Sequence, residues 1–305
     1  FVNLVNLKQC LLNKNKLSWI EPKLFLNQSK IEQLDLSENQ LEELHFETFT
    51  YLVNLKELSL NNNKLTKIDP KLFENLNKLE KLSLSYNQID ELESNTFEKL
   101  INLIELNLEK NKLKRIDANL FKNLVDIKEL NLSDNEIIQI ERSSFNNMKN
   151  LKNLKLGSNK LTQLDSNLFL GLSNLNMLYL MKNEISVLPD YVFKDLENVV
   201  ELHLNENKLT KINSKSLYGL SKLEGVIFKS NEIEKIDSDA FLNLVSLKII
   251  DLSMNKISVI DSEMFKEQIK LEGLSLLRNS IEEISWNAFE NNSKLKVLFL
   301  KGNKI

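Results

Sequence analysis

Apolar residues return along this chain on one fixed spacing. Aligned on an asparagine, each unit reads L-x-x-L-x-L-x-x-N-x-L-x-x-I-x-x-x-x-F-x-x-L-x-x, as in Leu55, Leu58, Leu60, Asn63, Leu65, Ile68, Phe73 and Leu76. The asparagine recurs every 24 residues without insertion or deletion, at Asn15, Asn39, Asn63, Asn87, Asn111, Asn135, Asn159, Asn183, Asn207, Asn231, Asn255, Asn279 and Asn303. A fixed period in the range of about 20 to 50 residues marks a solenoid, in which each repeat buries its apolar face against its neighbours. A length of 305 residues would by itself suggest about two domains, but the unbroken register predicts one elongated domain, residues 1–305, of 13 repeats.

Within a repeat, Leu58 and Leu60 alternate with Glu57 and Ser59, the period of a short strand with the leucines pointing inward. Identical return paths bring successive strands side by side and parallel. The asparagine sits where the strand turns away, and its amide supplies donors and an acceptor for backbone groups left unpaired by the bend. Asp69-Pro70, Glu21-Pro22, Asp117, Asp165, Asp237 and Asp261 then precede the F-x-x-L segment, the chemistry of a helix start. A short helical or 3-10 turn is expected there, with a stacked phenylalanine spine from Phe25 to Phe289 that only Leu217 interrupts. The wider outer segments would place the sheet on the concave side of an arc. Gln28, Gln268 and Asn292 stand where other repeats have Leu76 or Leu100, so packing is expected to loosen at these positions. Trp19 and Trp286 fall on the convex side and are expected to cover core edges.

Both ends fall inside a repeat, at Phe1 and Ile305, with no polar cap, which points to a piece of a longer protein. The single cysteine, Cys10, takes a core strand position and reads as a small buried hydrophobe. A net charge of -3 disfavours a nucleic-acid partner, which calls for a basic face. The spaced leucines leave no apolar run long enough to span a bilayer, so no membrane insertion is expected of this segment.

This pattern resembles the leucine-rich repeat, and phenylalanine ten positions after asparagine is similar to its typical 24-residue subclass. The resemblance covers essentially the whole chain. It implies an α/β solenoid, a horseshoe with a parallel concave sheet of about 13 short strands and short turns on its convex side. It also implies an extracellular or cell-surface protein, because the subclass is found mostly in Toll-like receptor ectodomains, small proteoglycans and insect leucine-rich immune proteins. Such proteins bind partners, commonly through the concave sheet, so a protein ligand or co-receptor is the expected partner. Family members usually carry cysteine-rich caps, and this chain has none.

The scaffold leaves three outward positions per strand undetermined, those six, four and two residues before each asparagine. From the eighth repeat they turn apolar: Met177, Tyr179 and Met181, then His203, Ile227, Ile249, Leu277, Val297 and Phe299, with Val200 and Met254 at the margins. Strands about 4.8 Å apart would join these into an exposed patch of several hundred Å², of the kind found at interfaces. The alternative is a tolerant surface or a contact with flanking sequence. In the first half the same positions carry Asp35, Glu57, Glu105, Glu109 and Glu129, an acidic face that could receive a basic partner. Glu105 and Glu129 share a column, as a glycosidase pair about 5 Å apart would, but an open sheet offers no pocket to raise either pKa, so a solvated face fits better.

Two histidines and one cysteine supply neither a metal cluster nor a Cys/His nucleophile, and His45 and His203 lie far apart in the register. No phosphate-binding glycine loop is present. No cofactor, metal or enzymatic activity is therefore expected. Asn27, Asn131 and Asn291 begin N-x-S triplets, possible glycosylation sites in a chain so rich in asparagine that such triplets arise by chance. Two function classes remain. The first is a recognition module of receptor or innate-immune type, and the second is a structural or adhesive protein that self-associates, as a homodimer for example, through the same face.

Overall fold

The computed structural model describes Phe1 and residues 3–305. Thirteen three-residue strands, one per repeat, run parallel. The chain divides into two compact units, Phe1–Leu154 and Lys155–Ile305.

In the first unit, Gln9–Leu11, Gln33–Asp35, Glu57–Ser59, Lys81–Ser83, Glu105–Asn107 and Glu129–Asn131 pair in chain order. Each residue lies opposite the one 24 positions on, so Leu34, Leu58, Leu82, Leu106 and Leu130 form one buried row. The second unit repeats this with Met177–Tyr179, Glu201–His203, Gly225–Ile227, Ile249–Asp251, Gly273–Ser275 and Val297–Phe299. Its inward row is Leu178, Leu202, Val226, Ile250 and Leu274, and in the last strand Leu298 is 37% exposed. The strand Asn153–Lys155 spans the boundary.

Every strand ends in a bend whose last residue before the asparagine takes a left-handed φ, for instance Lys110 at 52° and Met254 at 55°. Such a bend leaves backbone groups unpaired, and the asparagine bonds them. Asn111 donates from Nδ2 to the carbonyls of Leu84 at 3.0 Å and Leu108 at 3.1 Å, and its Oδ1 accepts from the N–H of Ile89 at 3.0 Å. Asn111 thereby ties its own turn to the preceding repeat.

The return side departs from the expected helical turns. Among the described residues one 3-10 turn forms, Pro70–Phe73, with Asp69 accepting from the N–H of Lys71 and proline supplying its fixed φ. Other repeats close this segment with successive turns, as in Leu24 N–H to Glu21 O and Leu26 N–H to Lys23 O. The capping chemistry nevertheless recurs, since Asp117, Asp165 and Asp261 each accept at 2.8 Å from the N–H two residues on. Two-residue strands also form beyond the bend, Arg115–Ile116 with Gln139–Ile140, Lys211–Ile212 with Lys235–Ile236, and Val259–Ile260 with Glu283–Ile284. Each of these strands contains an isoleucine, Ile116, Ile140, Ile212, Ile236, Ile260 or Ile284, whose β-branching favours extended backbone.

The phenylalanine rings stack at centroid distances of 6.2 Å for Phe73 and Phe97, 6.2 Å for Phe97 and Phe121, and 6.3 Å for Phe121 and Phe145. In the second unit Phe169 and Phe193 stack at 5.9 Å and Phe241 and Phe265 at 5.7 Å, on either side of the buried Leu217. Two residues after Leu217 the chain comes in close. Gly219 has φ of +103°, and a Cβ there would lie 2.3 Å from the carbonyl oxygen of Phe193. Gly219→Ala should therefore lower stability by about 1–3 kcal/mol, the cost of a strained backbone position, read as a drop in the thermal midpoint.

Gln28, Gln268 and Asn292 do not loosen the packing as expected. All three are buried, and each donates to the carbonyl of the phenylalanine 27 residues earlier: Gln28 to Phe1 at 2.7 Å, Gln268 to Phe241 at 2.7 Å and Asn292 to Phe265 at 2.9 Å. The side-chain amide there exchanges apolar contact for a hydrogen bond between repeats, with Asn292 leaving its buried Oδ1 without a partner. Trp286, expected over a core edge, is instead 93% exposed, and Trp19 is exposed as well. Cys10 is buried, and that burial pushes its thiol pKa up.

Candidate functional site

The position four residues before each asparagine has a scaffold use that the sequence pattern does not reveal. Asp35, Asn107, Asn131 and Asp251 each turn a side-chain oxygen to the N–H two residues on, at 2.9, 3.0, 3.0 and 2.9 Å. A short polar side chain here thus satisfies the start of the bend. At four successive repeats the residue is instead Lys155, Tyr179, His203 and Ile227, none of the Asp or Asn type that serves this turn.

Tyr179, His203 and Ile227 share one outward row. Tyr179 lies opposite His203, and His203 opposite Ile227. The Tyr179 and His203 rings stack at 4.8 Å, the Tyr179 hydroxyl meets the Met177 sulfur at 3.1 Å, and His203 Nε2 meets a carboxylate oxygen of Glu201 at 3.2 Å. Burial, and beyond it the charge of Glu201, push the Tyr179 phenol pKa up. Met181 folds over Gly157, where a Cβ would come within 2.7 Å of its sulfur. These side chains are half-buried and packed on one another, which makes them a preformed surface.

The remaining apolar candidates are more dispersed than a continuous patch. Asp251 and Ser275 separate Ile227 from Phe299 in one column, and Gly225 and Gly273 flank Ile249 in the other. Ile249 is 53% exposed, while Val297 and Phe299 stand on the last strand of the chain. Leu277 is half-buried, Met254 occupies the left-handed bend position with Ser230 Oγ 3.3 Å from its sulfur, and Val200 accepts backbone hydrogen bonds from Glu224 and Gly225 at the strand margin. Glu201 and the two strand glycines, absent from the sequence-based candidates, belong to the same surface. Their signal was present in the same outward columns, but a search for apolar residues passes over it.

The acidic residues of the first unit are engaged. Lys81 stands between Glu57 and Glu105 at 3.8 and 3.7 Å, Asn153 donates to Glu129 at 3.2 Å, Asn131 donates to Glu109 at 3.2 Å, and Asp35 serves its own bend. The face is mixed in charge. Asn131, one of the three sequon asparagines, has its amide turned into this network, Asn291 donates to the carbonyl of Lys266 at 3.3 Å, and Asn27 is exposed on the return side. His45 accepts from the N–H of Glu47 at 3.3 Å, as a cap on the return side. Among the described residues no group of three or more His, Cys, Asp or Glu is placed to hold a metal, and no helix is long and apolar enough to cross a membrane.

The model of the BspA type leucine rich repeat region matches residues 66–200, 114–243 and 186–304, and that of the leucine rich repeat matches residues 5–65 and 29–89. The chain belongs to the leucine-rich repeat family. No curated protein matches it. Among solved structures, this leucine-rich repeat chain is similar to Toll in the Drosophila Toll–Spatzle complex, with a TM-score of 0.91 and 24% identity over 99% of this chain and 40% of that one. It is similar to TLR13 in a complex with ssRNA13, with a TM-score of 0.86 and 31% identity over 95% of this chain and 42% of that one. A leucine-rich repeat protein of Leptospira interrogans matches with a TM-score of 0.77 and 27% identity, over 97% of this chain and 78% of its own. The chain thus spans about two fifths of the length of the Toll and TLR13 chains it matches.

Proposed function

We propose that this leucine-rich repeat chain is a non-enzymatic recognition module that binds a protein or microbial ligand on the open face of its second unit. It would act outside the cell or at its surface, in the manner of a receptor or innate-immune protein. The observation that carries this is the run from Lys155 to Ile227, where successive repeats give up the bend-capping side chain and Tyr179, His203 and Ile227 adjoin as a packed aromatic and aliphatic surface. Tyrosine and methionine suit such a surface, the first by combining area with a hydroxyl and the second by adapting its shape. Proteins of this fold that bind proteins support the same view: Toll was solved with Spatzle, and APL1C with LRIM1. TLR13 was solved with an RNA, but the net charge of -3 and the carboxylate of Glu201 within the surface favour a protein here.

Replacing Tyr179 and Ile227 together with glutamate should weaken partner binding by about 100-fold, as burying two unpaired charges at an interface core would, with the far-UV circular dichroism unchanged. Unchanged affinity in a folded variant would remove the site. A stable dimer in light scattering that the same pair of changes abolishes would make a second copy of this chain the partner.

A further inference from the structure

Two outward positions of the second unit are unfilled. Gly225 and Gly273 each begin a strand, and a Cβ added to either would meet no atom within 4 Å. Neither glycine takes a left-handed φ, so the backbone does not require glycine at these places. Glycine in a strand gives up side-chain packing and often marks where a ligand or another backbone approaches closely.

The walls of the two hollows differ. Gly225 lies between Glu201 on one neighbouring strand and Ile249 on the other, with Ile227 as the next outward residue of its own strand. Gly273 lies between Ile249 and Val297, with Phe299 diagonal to it. Ile249, more than half exposed, stands as a ridge between them. One hollow therefore has aliphatic walls and a carboxylate at its edge, and the other is apolar. Lys248, at the strand margin, is held by Glu224 at 2.7 Å, and His203 Nε2 meets one Glu201 oxygen at 3.2 Å, which leaves the other oxygen of that carboxylate to face the hollow.

We propose that the Gly225 hollow receives a lysine or arginine side chain of a protein partner and the Gly273 hollow an apolar side chain of the same partner segment. The stem of the basic residue lies between Ile227 and Ile249, and its cation pairs with Glu201. Long basic side chains bury an aliphatic stem while keeping the charge on a polar group, as this hollow requires. Two strand spacings separate the hollows by about 10 Å. A segment in the polyproline II conformation spans nearly that distance in three residues, at about 3.1 Å each, and returns to the same face. The partner motif is thus a basic residue three positions from an apolar one. All of this presupposes that the open face of the second unit is the binding surface.

Panning a phage library of random linear dodecapeptides on the full chain tests the motif without a known partner. Selected sequences should be enriched in Lys or Arg three positions from an apolar residue, and Gly225→Leu, which fills the hollow without removing any contact, should weaken them about 10-fold or more. Glu201→Gln should erase the preference for the cation and spare that for the apolar residue. Selected peptides without a basic preference, an empty selection, or affinities unmoved by Gly225→Leu would each overturn the proposal. Peptides weakened by Tyr179→Glu but not by Gly225→Leu would overturn the hollows and leave the open face standing, whereas indifference to both would remove both.

Discussion

Phe121→Ala should destabilise the first unit by about 3–5 kcal/mol, the cost of emptying a fully buried aromatic site. The ring is about 1% exposed and stacks on Phe97 and Phe145 within 13° of parallel, so its loss opens a hole at two repeat interfaces at once. In a stack where each repeat touches only its neighbours, stability is a sum of repeat and interface contributions. Losing two adjoining interfaces should therefore show not only as a lower urea midpoint but as a less cooperative transition, with the repeats on either side of Phe121 unfolding separately. Phe121→Leu should cost much less, because Leu217 stands buried at the equivalent position of its own repeat. A shift below about 1 kcal/mol for the alanine variant would mean that the spine relaxes around the hole and that its stacking contributes little.

The spine was legible in the sequence because spacing alone identifies it: ten residues after every asparagine, one side chain must fill the outer half of the core. The inward rows were legible for the same reason, since Leu58 and Leu60 alternate with polar neighbours in a register that never slips. What a period cannot convey is how a segment closes. The F-x-x-L stretch is too short to repay helix nucleation, so Asp69-Pro70 yields one 3-10 turn while Asp117 and Asp165 cap mere turns with the same chemistry. Nor could spacing show that Gln268 would reach the carbonyl of Phe241, because a buried amide is destabilising until its partner is known.

The candidate surface divides along the same line. Counting back from each asparagine found the outward columns, and Met177, Tyr179, His203 and Ile227 do stand side by side. The extent of the patch was overstated because the residues between its members were passed over: Asp251, with its oxygen on the N–H of Ser253, and the open positions at Gly225 and Gly273. The acidic half was overstated in another way. Carboxylates that look free in a sequence acquire partners through side-chain conformation, as Glu57 and Glu105 do through the single ammonium of Lys81.

Asn207→Ala should cost the second unit roughly 2–4 kcal/mol, and the hydrogen bonds indicate where. The amide donates to Leu180 O at 2.9 Å and Leu204 O at 3.1 Å and accepts from the N–H of Ile185 at 3.0 Å. Both carbonyls have a second donor, since Asn183 also bonds Leu180 O and Asn231 also bonds Leu204 O. The buried N–H of Ile185 is the group that alanine leaves without its acceptor, and an orphaned donor is the costlier loss. Amide hydrogen exchange at Ile185 should accordingly accelerate more than at Leu209, whose N–H is held by Asn231 at 3.0 Å. Asn207→Asp keeps an acceptor for Ile185 but turns its second oxygen toward two carbonyls, which disfavours the charged form and raises the folded-state pKa above the ordinary carboxylate value. The penalty for this variant is thus largest above that raised pKa and shrinks as the pH falls through it, when the protonated carboxyl can donate to a carbonyl as the amide did. Equal protection at Ile185 in Asn207→Ala and the parent chain, with an unchanged urea midpoint, would show that water takes over the bond and that the ladder contributes register without stability.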